Sequence, residues 1–358
     1  MIGLKDVTKE YPDGTTAVHS LNLEAPTGKL TVLVGPSGCG KTTTLRMINR
    51  LIRPTSGTIE LDGVDTASLG DVQLRRKIGY VIQNAGLFPH RTALDNVAAL
   101  PILLGEKKAP ARANAMELLE RVGLTADHAR RYPWQLSGGQ QQRVGVARAL
   151  ATDPPYLLMD EPFSAVDPIV RNQLQDEFLR LQREIGKTIV MVTHDIDEAL
   201  KLGDQVAVLQ EGGYLAQLDT PQRLLERPAS PFVADFLGNG RGFRSLQFAI
   251  GDAVARLANE SRVGLGATPR TDGWHVVVDD RERPLGWTRT STTVREGDVD
   301  VSGTVARADG SLRELLDAAL SSPTGRGLVV DTSGVFLGTV SIEDASQLAA
   351  EAHRGRAA

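Results

Sequence analysis

A glycine-rich segment near the start of the chain has the residue types and the spacing that bind phosphate groups. Residues 35–42 read GPSGCGKT and fit the pattern G-x-x-x-x-G-K-[ST]. In this pattern backbone N–H groups surround the phosphates, and the lysine adds a positive charge near the β- and γ-phosphates. Lys41 is therefore predicted to take part in catalysis, and Thr42 to place its hydroxyl on Mg²⁺. The nucleotide-binding residues predicted in this segment are Gly35, Pro36, Ser37, Gly38, Cys39, Gly40, Lys41, Thr42 and Thr43.

Two adjacent carboxylates follow an apolar run later in the chain. The run from Tyr156 to Met159 has the form of a buried strand, and Asp160 and Glu161 stand at its end. Asp160 is predicted to hold Mg²⁺ through water. Glu161 is predicted to act as general base on the attacking water, since phosphoryl transfer depends on positioning and electrostatics. Two acids at a strand end often form only a solvated turn, but the phosphate-binding segment upstream favours the catalytic interpretation.

These candidate residues need strands and helices that bring them together. An apolar strand is predicted at Leu30 to Val34, directly before the glycines, and a helix at Lys41 to Leu51, directly after them. This is the context that a phosphate-binding loop requires. Further strands are predicted at Ile2–Val7, Leu21–Ala25, Tyr80–Ile82, Tyr156–Met159 and Thr188–Val192, and further helices at Ala109–Val122 and Ile169–Ile185. The pattern predicts an α/β nucleotide-binding domain over residues 1–237.

A second domain with a different pattern is predicted behind a glycine-rich linker. The linker is placed at residues 238–244 and a small α+β domain at residues 245–350, followed by a frayed tail. The elements predicted here are helices at Gln247–Glu260 and Ser311–Ser321 and strands at Trp274–Val278, Gly327–Val330 and Val335–Val340. The segment Pro284–Trp287 is echoed by Val335–Gly338. The sequence therefore predicts a module that occurs twice.

Composition limits the classes of protein that this chain can represent. The 358 residues are 41% hydrophobic and 23% charged with a net charge of −4, which is typical of a globular protein and does not favour a nucleic-acid partner. The apolar runs are shorter than the roughly 18 to 20 residues of a membrane helix, and the charged N-terminus does not resemble a secretory signal. The single cysteine, Cys39, allows no internal disulfide. A cytoplasmic location is expected.

A third motif separates the possible classes of nucleotide-binding protein. The segment from Leu136 to Arg143 reads LSGGQQQR and resembles the signature of ABC ATPases. The resemblance implies that the ligand is ATP and that two copies of the chain share each site. Residues implied to close over the nucleotide held by the other copy are Ser137, Gly138, Gly139 and Gln140.

Other positions match the pattern of the same family in order. The resemblance implies that Tyr11 stacks on adenine, that Gln83 contacts Mg²⁺ and the attacking water, and that His194 contacts the γ-phosphate. It also implies that Asp167 is the acid of the loop that follows the catalytic carboxylates. The partners implied are a second copy of the chain, transmembrane permease subunits and, indirectly, an extracytoplasmic substrate-binding protein. The subunit would then lie at the cytoplasmic face of the plasma (inner) membrane as a peripheral protein.

The first domain resembles one branch of this family more closely. The segments that carry the likeness are Leu30–Leu45, Met47–Ile52, Pro54–Gly57, Tyr80–Gln83, Gly86–His90 and Met159–Ala165. They are similar to the ATPases of bacterial importers for glycine betaine, choline, carnitine and proline betaine. The implied function is an ATP-hydrolysing subunit that energises import of a quaternary-amine osmoprotectant.

The C-terminal region supports this branch, because such ATPases often carry paired cystathionine-β-synthase (CBS) modules. Arg326–Asp331 and Gly338–Asp344 resemble the second module, whereas the first, around Val277 to Trp287, is degenerate. Binding of a regulatory nucleotide, sensing of ionic strength and bracing of a dimer therefore all stay open as roles of this region.

Three alternatives remain at this stage. An ABC ATPase of DNA repair or translation would share the motifs, but such chains usually carry a long coiled-coil insertion or two cassettes. A regulatory protein that has lost catalysis is disfavoured by Lys41, Asp160, Glu161 and His194. An importer of another solute, such as a polyamine, sulfate or sugar, would have the same catalytic motifs. The residues themselves do not identify the solute.

Overall fold

The chain forms two units in this computed structural model, which describes residues 1–83, 85–164 and 166–357. The first unit is Met1–Leu237 and the second begins at Gly238. Among the described residues, no helix has both the length and the apolar character needed to cross a bilayer.

The first unit contains two sheets and a group of helices. Its strands are β1 (Ile2–Glu10), β2 (Thr16–Ala25), β3 (Leu30–Val34), β4 (Ser56–Leu61), β5 (Val64–Asp65), β6 (Ile78–Val81), β7 (Tyr156–Asp160), β8 (Thr188–Val192), β9 (Gln205–Gln210) and β10 (Tyr214–Asp219). Its helices are α1 (Lys41–Ile48), α2 (Asp71–Arg76), α3 (Ala93–Leu103), α4 (Lys108–Arg121), α5 (Ala126–Ala129), α6 (Gly138–Leu150), α7 (Pro168–Ile185), α8 (Ile196–Leu202), α9 (Pro221–Glu226) and α10 (Pro231–Leu237).

The larger sheet brings the ends of several parallel strands to one edge. Its strand order is β10-β9-β3-β8-β7-β6, and the pairs from β9 to β6 are all parallel. Strands β3, β7 and β8 are buried along their whole length, as expected for a parallel sheet covered on both faces. Because parallel strands end on the same side, the loops after β3, β8, β7 and β6 are neighbours.

Helix α1 packs on this sheet but is shorter than the sequence predicts. Leu45, Met47 and Ile48 are buried, which follows from their helical spacing. The helix ends at Ile48 instead of Leu51, because Arg50 adopts a left-handed conformation with φ of 50°. Leu51 then turns away from the core and is half exposed.

Helices α3, α4 and α6 pack against one another beside the larger sheet. The buried side chain of Asn96 in α3 holds the loop that precedes it. Its Oδ1 accepts a hydrogen bond from the Phe88 N–H at 2.7 Å, and its Nδ2 donates to the carbonyls of Phe88 and Arg91 at 3.1 Å. A buried amide with its hydrogen bonds satisfied fixes local geometry, so the loop from Phe88 to Thr92 is held in one position.

The second unit contains two sheets of the same design. Its strands are β11 (Arg262–Gly264), β12 (His275–Val278), β13 (Pro284–Thr288), β14 (Val305–Arg307), β15 (Arg326–Val330) and β16 (Phe336–Ser341), and its helices are α11 (Arg241–Ser245), α12 (Leu312–Ser321) and α13 (Ile342–Ala357). In each sheet the first pair is parallel and the second antiparallel. Gly286 lies opposite Val277, and Gly338 lies opposite Val329.

The two glycines are needed because another backbone segment approaches each of them. A Cβ at Gly286 would lie 2.4 Å from the Asp300 carbonyl oxygen, and one at Gly338 would lie 2.9 Å from the Ala258 carbonyl oxygen. Glycine in a strand commonly marks such a close approach. The repeat seen in the sequence thus corresponds to two sheets, and in each of them an extra segment pairs with the last strand next to the glycine.

Three predictions for the second unit are wrong in detail. The predicted helix Gln247–Glu260 is replaced by two short 3₁₀ turns, Leu246–Phe248 and Val254–Arg256. Between them Gly251 packs so closely on Leu312 that a Cβ would lie 2.4 Å from its Cδ2. The predicted linker 238–244 already contains the start of α11, and α13 runs past residue 350. An ion pair of 2.9 Å between Arg256 and Glu351 fastens that last helix.

Candidate functional site

The glycine-rich loop after β3 holds its lysine in a fixed position. Lys41 is only 7% exposed, and its Nζ donates to the carbonyl oxygens of Gly35 and Pro36, each at 2.8 Å. Gly40 has φ of 86°, and a Cβ there would lie 2.1 Å from the Ala17 carbonyl oxygen. Only glycine suits that combination of conformation and space. The loop therefore places the positive charge of Lys41 at the N-terminus of α1.

A hydroxyl and a carboxylate meet where β3 and β7 end. Thr42 Oγ1 donates to Asp160 Oδ1 at 3.0 Å. Burial raises the pKa of the Asp160 carboxyl, while the hydrogen bond from Thr42 and the positive charge of Arg46 act in the opposite direction. The two oxygens predicted to hold a metal are thus adjacent, and oxygen ligands of this kind suit Mg²⁺.

Glu161 lies between two other predicted site residues. Gln83 Nε2 donates to Glu161 Oε2 at 2.9 Å, and His194 Nδ1 lies 3.3 Å from the same oxygen. Glu161 has φ of 45°, a left-handed conformation that is uncommon for a side chain of this size and that often occurs at functional sites. Its backbone N–H donates to the Val192 carbonyl at 3.0 Å, which ties the carboxylate to the neighbouring strand.

The signature segment forms the N-terminus of a different helix, α6. Ser137 caps the helix by accepting from the Gln140 N–H, and the Gln140 side chain accepts from the Ser137 N–H at 3.0 Å. Gly138 and Gly139 form the first turn. Among the described contacts, the hydrogen bonds of Ser137 and Gln140 connect them to each other and to His128, not to the phosphate loop. These hydrogen bonds therefore stabilise the start of α6 and do not join the signature to the phosphate loop of the same chain.

Tyr11 and Asp167 lie at the margins of the site. Tyr11 is at the turn between β1 and β2, and the same β2 approaches Gly40 at Ala17. Lys9 Nζ lies 5.3 Å from the centre of the Tyr11 ring. Asp167 is exposed directly before α7, where its carbonyl accepts from the Arg171 N–H at 2.8 Å. Ala165, which was part of the family-like segments, is outside the described residues.

Sequence reasoning missed Tyr80 and Arg46, which line the same open cavity as Gln83 and Asp160. Burial, together with the charge of Asp160, raises the pKa of Tyr80 to about 12. The phenol therefore stays protonated and acts as a donor to Asp160. A tyrosine inside a buried strand usually needs a hydrogen-bond partner for its hydroxyl. This rule could have indicated from the sequence that Tyr80 contacts another polar residue.

Comparisons with known proteins agree on one group. A family model described as "ABC transporter" matches residues 18–164. The chain is 42% identical to the osmoprotectant import ATP-binding protein OsmV of Salmonella typhimurium over 362 residues, which covers 95% of this chain and 94% of that protein. It is 51% identical to the glycine betaine/carnitine/choline transport ATP-binding protein OpuCA of Bacillus subtilis, over 68% of this chain and 64% of that one.

Solved structures show the same similarity. The dimeric structure of MJ0796, a bacterial ABC transporter cassette, aligns with a TM-score of 0.56 and 39% identity over 62% of this chain and 99% of that one. A second structure of the same cassette, described as a dimeric post-hydrolysis state bound to ADP and Pi, aligns equally well.

Replacing Lys41 tests the phosphate-binding loop. Lys41→Ala should weaken ATP binding about 10- to 100-fold, because a hydrogen bond from a charged donor contributes about 1.5–3 kcal/mol. Titration with a fluorescent ATP analogue measures the affinity. Lys5→Ala, which removes an exposed lysine paired with Glu60, should leave the affinity unchanged. Equal affinities of wild type and Lys41→Ala would contradict the assignment of this loop.

Proposed function

This chain belongs to the ATP-binding subunits of ABC transporters, and on that premise we propose that it hydrolyses ATP to drive import of a quaternary-amine osmoprotectant through a separate membrane permease. The observation that carries the proposal is the meeting of five predicted site residues at the carboxyl edge of one sheet. Thr42 contacts Asp160, and both Gln83 and His194 contact Glu161.

Glu161 is proposed to act as the general base. Its Oε2 would accept a proton from water as the water oxygen bonds to the γ-phosphorus and the bond to the β–γ bridging oxygen breaks. Gln83 orients the carboxylate through its 2.9 Å hydrogen bond, and His194 adds a second contact at the same oxygen. Lys41 would stabilise the negative charge that remains on the phosphates.

Thr42, Gln83 and Asp160 are the residues proposed to hold Mg²⁺. The 3.0 Å contact between the Thr42 hydroxyl and the Asp160 carboxylate supplies an oxygen pair of the type that Mg²⁺ prefers. When bound, the ion would neutralise charge on the phosphate oxygens.

Each site is proposed to be completed by a second copy of the chain. Ser137, Gly138, Gly139 and Gln140 stand at the N-terminus of the 13-residue helix α6, whose N–H groups favour an anion. Within one chain they do not contact the phosphate loop through the described hydrogen bonds. The dimeric form named for the related cassette supports a paired arrangement. Asp167 would lie in that interface, and Tyr11 would stack on adenine.

A groove beside α3 is the proposed docking site for the permease. The lining of this open groove includes Tyr80, Phe88, Leu100 and Leu103. Leu103 is 81% exposed and Phe88 is also exposed, so the groove presents large apolar side chains to a partner. The Asn96 hydrogen bonds fix its wall. Docking there would place the subunit at the cytoplasmic face of the membrane.

The identity of the solute rests on the relatives. OsmV is named for osmoprotectant import, and OpuCA for glycine betaine, carnitine and choline. In such a system the solute would be delivered by an extracytoplasmic substrate-binding protein. The second unit is proposed to be a pair of CBS-like modules. The second module has α12 between its first two strands, whereas the described residues between β11 and β12 form no helix, as expected of a degenerate first module.

Replacing Glu161 tests the proposed base. Glu161→Gln should lower kcat for ATP hydrolysis by a factor of about 10²–10⁴, which is the usual contribution of a general base, while ATP affinity stays close to that of wild type. Phosphate release and nucleotide titration measure the two quantities. Glu117→Gln, an exposed change on α4, serves as the matched control. Undiminished hydrolysis by Glu161→Gln would rule out the base role.

Uptake in cells tests the solute and the groove together. A host deleted for this gene and complemented with it should accumulate labelled glycine betaine or choline, most strongly at high osmolarity. Leu103→Asp should lose most of that uptake, because a charge would be placed in an apolar contact, while the purified variant hydrolyses ATP normally. Val64→Asp, at an exposed position on β5, should transport normally. Normal uptake by Leu103→Asp would refute the docking site, and no uptake of any quaternary amine would refute the solute.

A further inference from the structure

Two loops next to the proposed base are joined by a residue that the mechanism has not used. One loop follows β7 and leads to Asp167, and the other follows β8 and carries His194. Arg171 in α7 contacts both of them. Its Nη2 donates to the Val166 carbonyl at 3.1 Å, and its Nη1 lies 3.7 Å from Asp195 Oδ2. A single guanidinium thus spans the gap between the two loops.

Asp195 connects Arg171 to the position of His194, the residue directly before it. The Asp195 side chain caps α8, with Oδ1 accepting from the N–H groups of Asp197 at 2.9 Å and Glu198 at 3.2 Å. His194 directly precedes this cap and lies 3.3 Å from Glu161. A shift of Asp195 would therefore move His194 relative to the base.

A second contact, one turn further along α7, also connects this helix to α8. Gln175 Nε2 donates to Glu198 Oε1 at 3.1 Å, and the two side chains are 4% and 5% exposed. Residues four apart lie on the same face of a helix, so Arg171 and Gln175 present one face to Asp195 and Glu198. The buried pair fixes the distance between α7 and α8, and Arg171 extends this contact to the two loops.

We propose that Arg171 is a positioning residue that holds the loop bearing His194 at a fixed distance from the loop leading to Asp167. The proposal rests on the proposed hydrolysis of ATP. Arg171 and Asp195 are 28% and 36% exposed, and a pair so accessible to water contributes little to stability. Nε of Arg171 is buried without a hydrogen-bond partner in the described part of the chain, which also disfavours a purely stabilising role. The forked guanidinium reaches both loops, whereas a lysine would reach only one.

The test compares purified full-length variants. Arg171→Gln should lower kcat for ATP hydrolysis about 10- to 100-fold, since a small misplacement of a catalytic group can cost that much. KM for ATP should change less than about threefold and Tm by only about 2 °C, as expected for a weak ion pair. Arg171→Lys should recover part of the rate. Arg183→Gln, exposed on the same helix, is the control and should behave as wild type.

A double-mutant cycle separates positioning from a general structural effect. Asp195→Asn removes the charge but keeps a residue that caps helices well, and it should reduce kcat as Arg171→Gln does. The double variant should lose no more than either single one, because both act through one contact. Additive losses, an unchanged kcat or a fall in Tm that parallels the loss of activity would overturn the proposal. If Glu161→Gln hydrolysed ATP normally, the proposed function would fail, and this proposal with it.

Discussion

The site depends on one constraint of the backbone, the alignment of neighbouring parallel strands in the larger sheet. Strands β3, β8, β7 and β6 lie side by side and end at the same edge. The phosphate loop, His194, Glu161 and Gln83 each come after one of these strands, and Asp160 is the last residue of β7. Residues separated by more than 150 positions, such as Thr42 and His194, therefore lie in one site because the strands that precede them are neighbours in the sheet. The strands are buried along most of their length, so their ends have little freedom to move apart.

Much of this arrangement could be predicted because the motifs stand in strong local patterns. The bounds of β3 and β8 agree with the apolar runs Leu30–Val34 and Thr188–Val192, and the predicted ABC-type α/β fold is confirmed. The predictions that were wrong failed because tertiary contacts overrode the local pattern. Residues 247–260 have helical spacing, but the backbone at Ala249 and Ile250 pairs with the segment that precedes α12 instead of continuing a helix. The burial of Tyr80 in a strand indicates that its hydroxyl needs a partner but not that the partner is Asp160. The proposed role of Arg171 depends on contacts with residues distant in sequence, which no local pattern indicates.

The predicted site residues form two groups. Residues of the first group contact one another within one chain, and residues of the second group lie at the start of α6. Thr42 with Asp160, and Gln83 and His194 with Glu161, form within a single chain. Ser137 and Gln140 instead bond to each other at the start of α6. The first group can position water and phosphates, whereas the described hydrogen bonds of the signature do not join it to the phosphate loop of the same chain. The proposed site shared between two copies would account for both observations, and ATP binding would then be the event that joins the copies.

The measurement that tests this central claim most directly is hydrolysis by a mixture of two inactive variants. Lys41→Ala removes the phosphate-loop charge, and Gly138→Asp places a repelling carboxylate in the signature. If the site is shared, mixed dimers pair the intact phosphate loop of one chain with the intact signature of the other. The mixture should then hydrolyse ATP clearly faster than either variant alone. Activity no greater than the average of the two separate variants would contradict the shared site and require each chain to hold a complete site of its own.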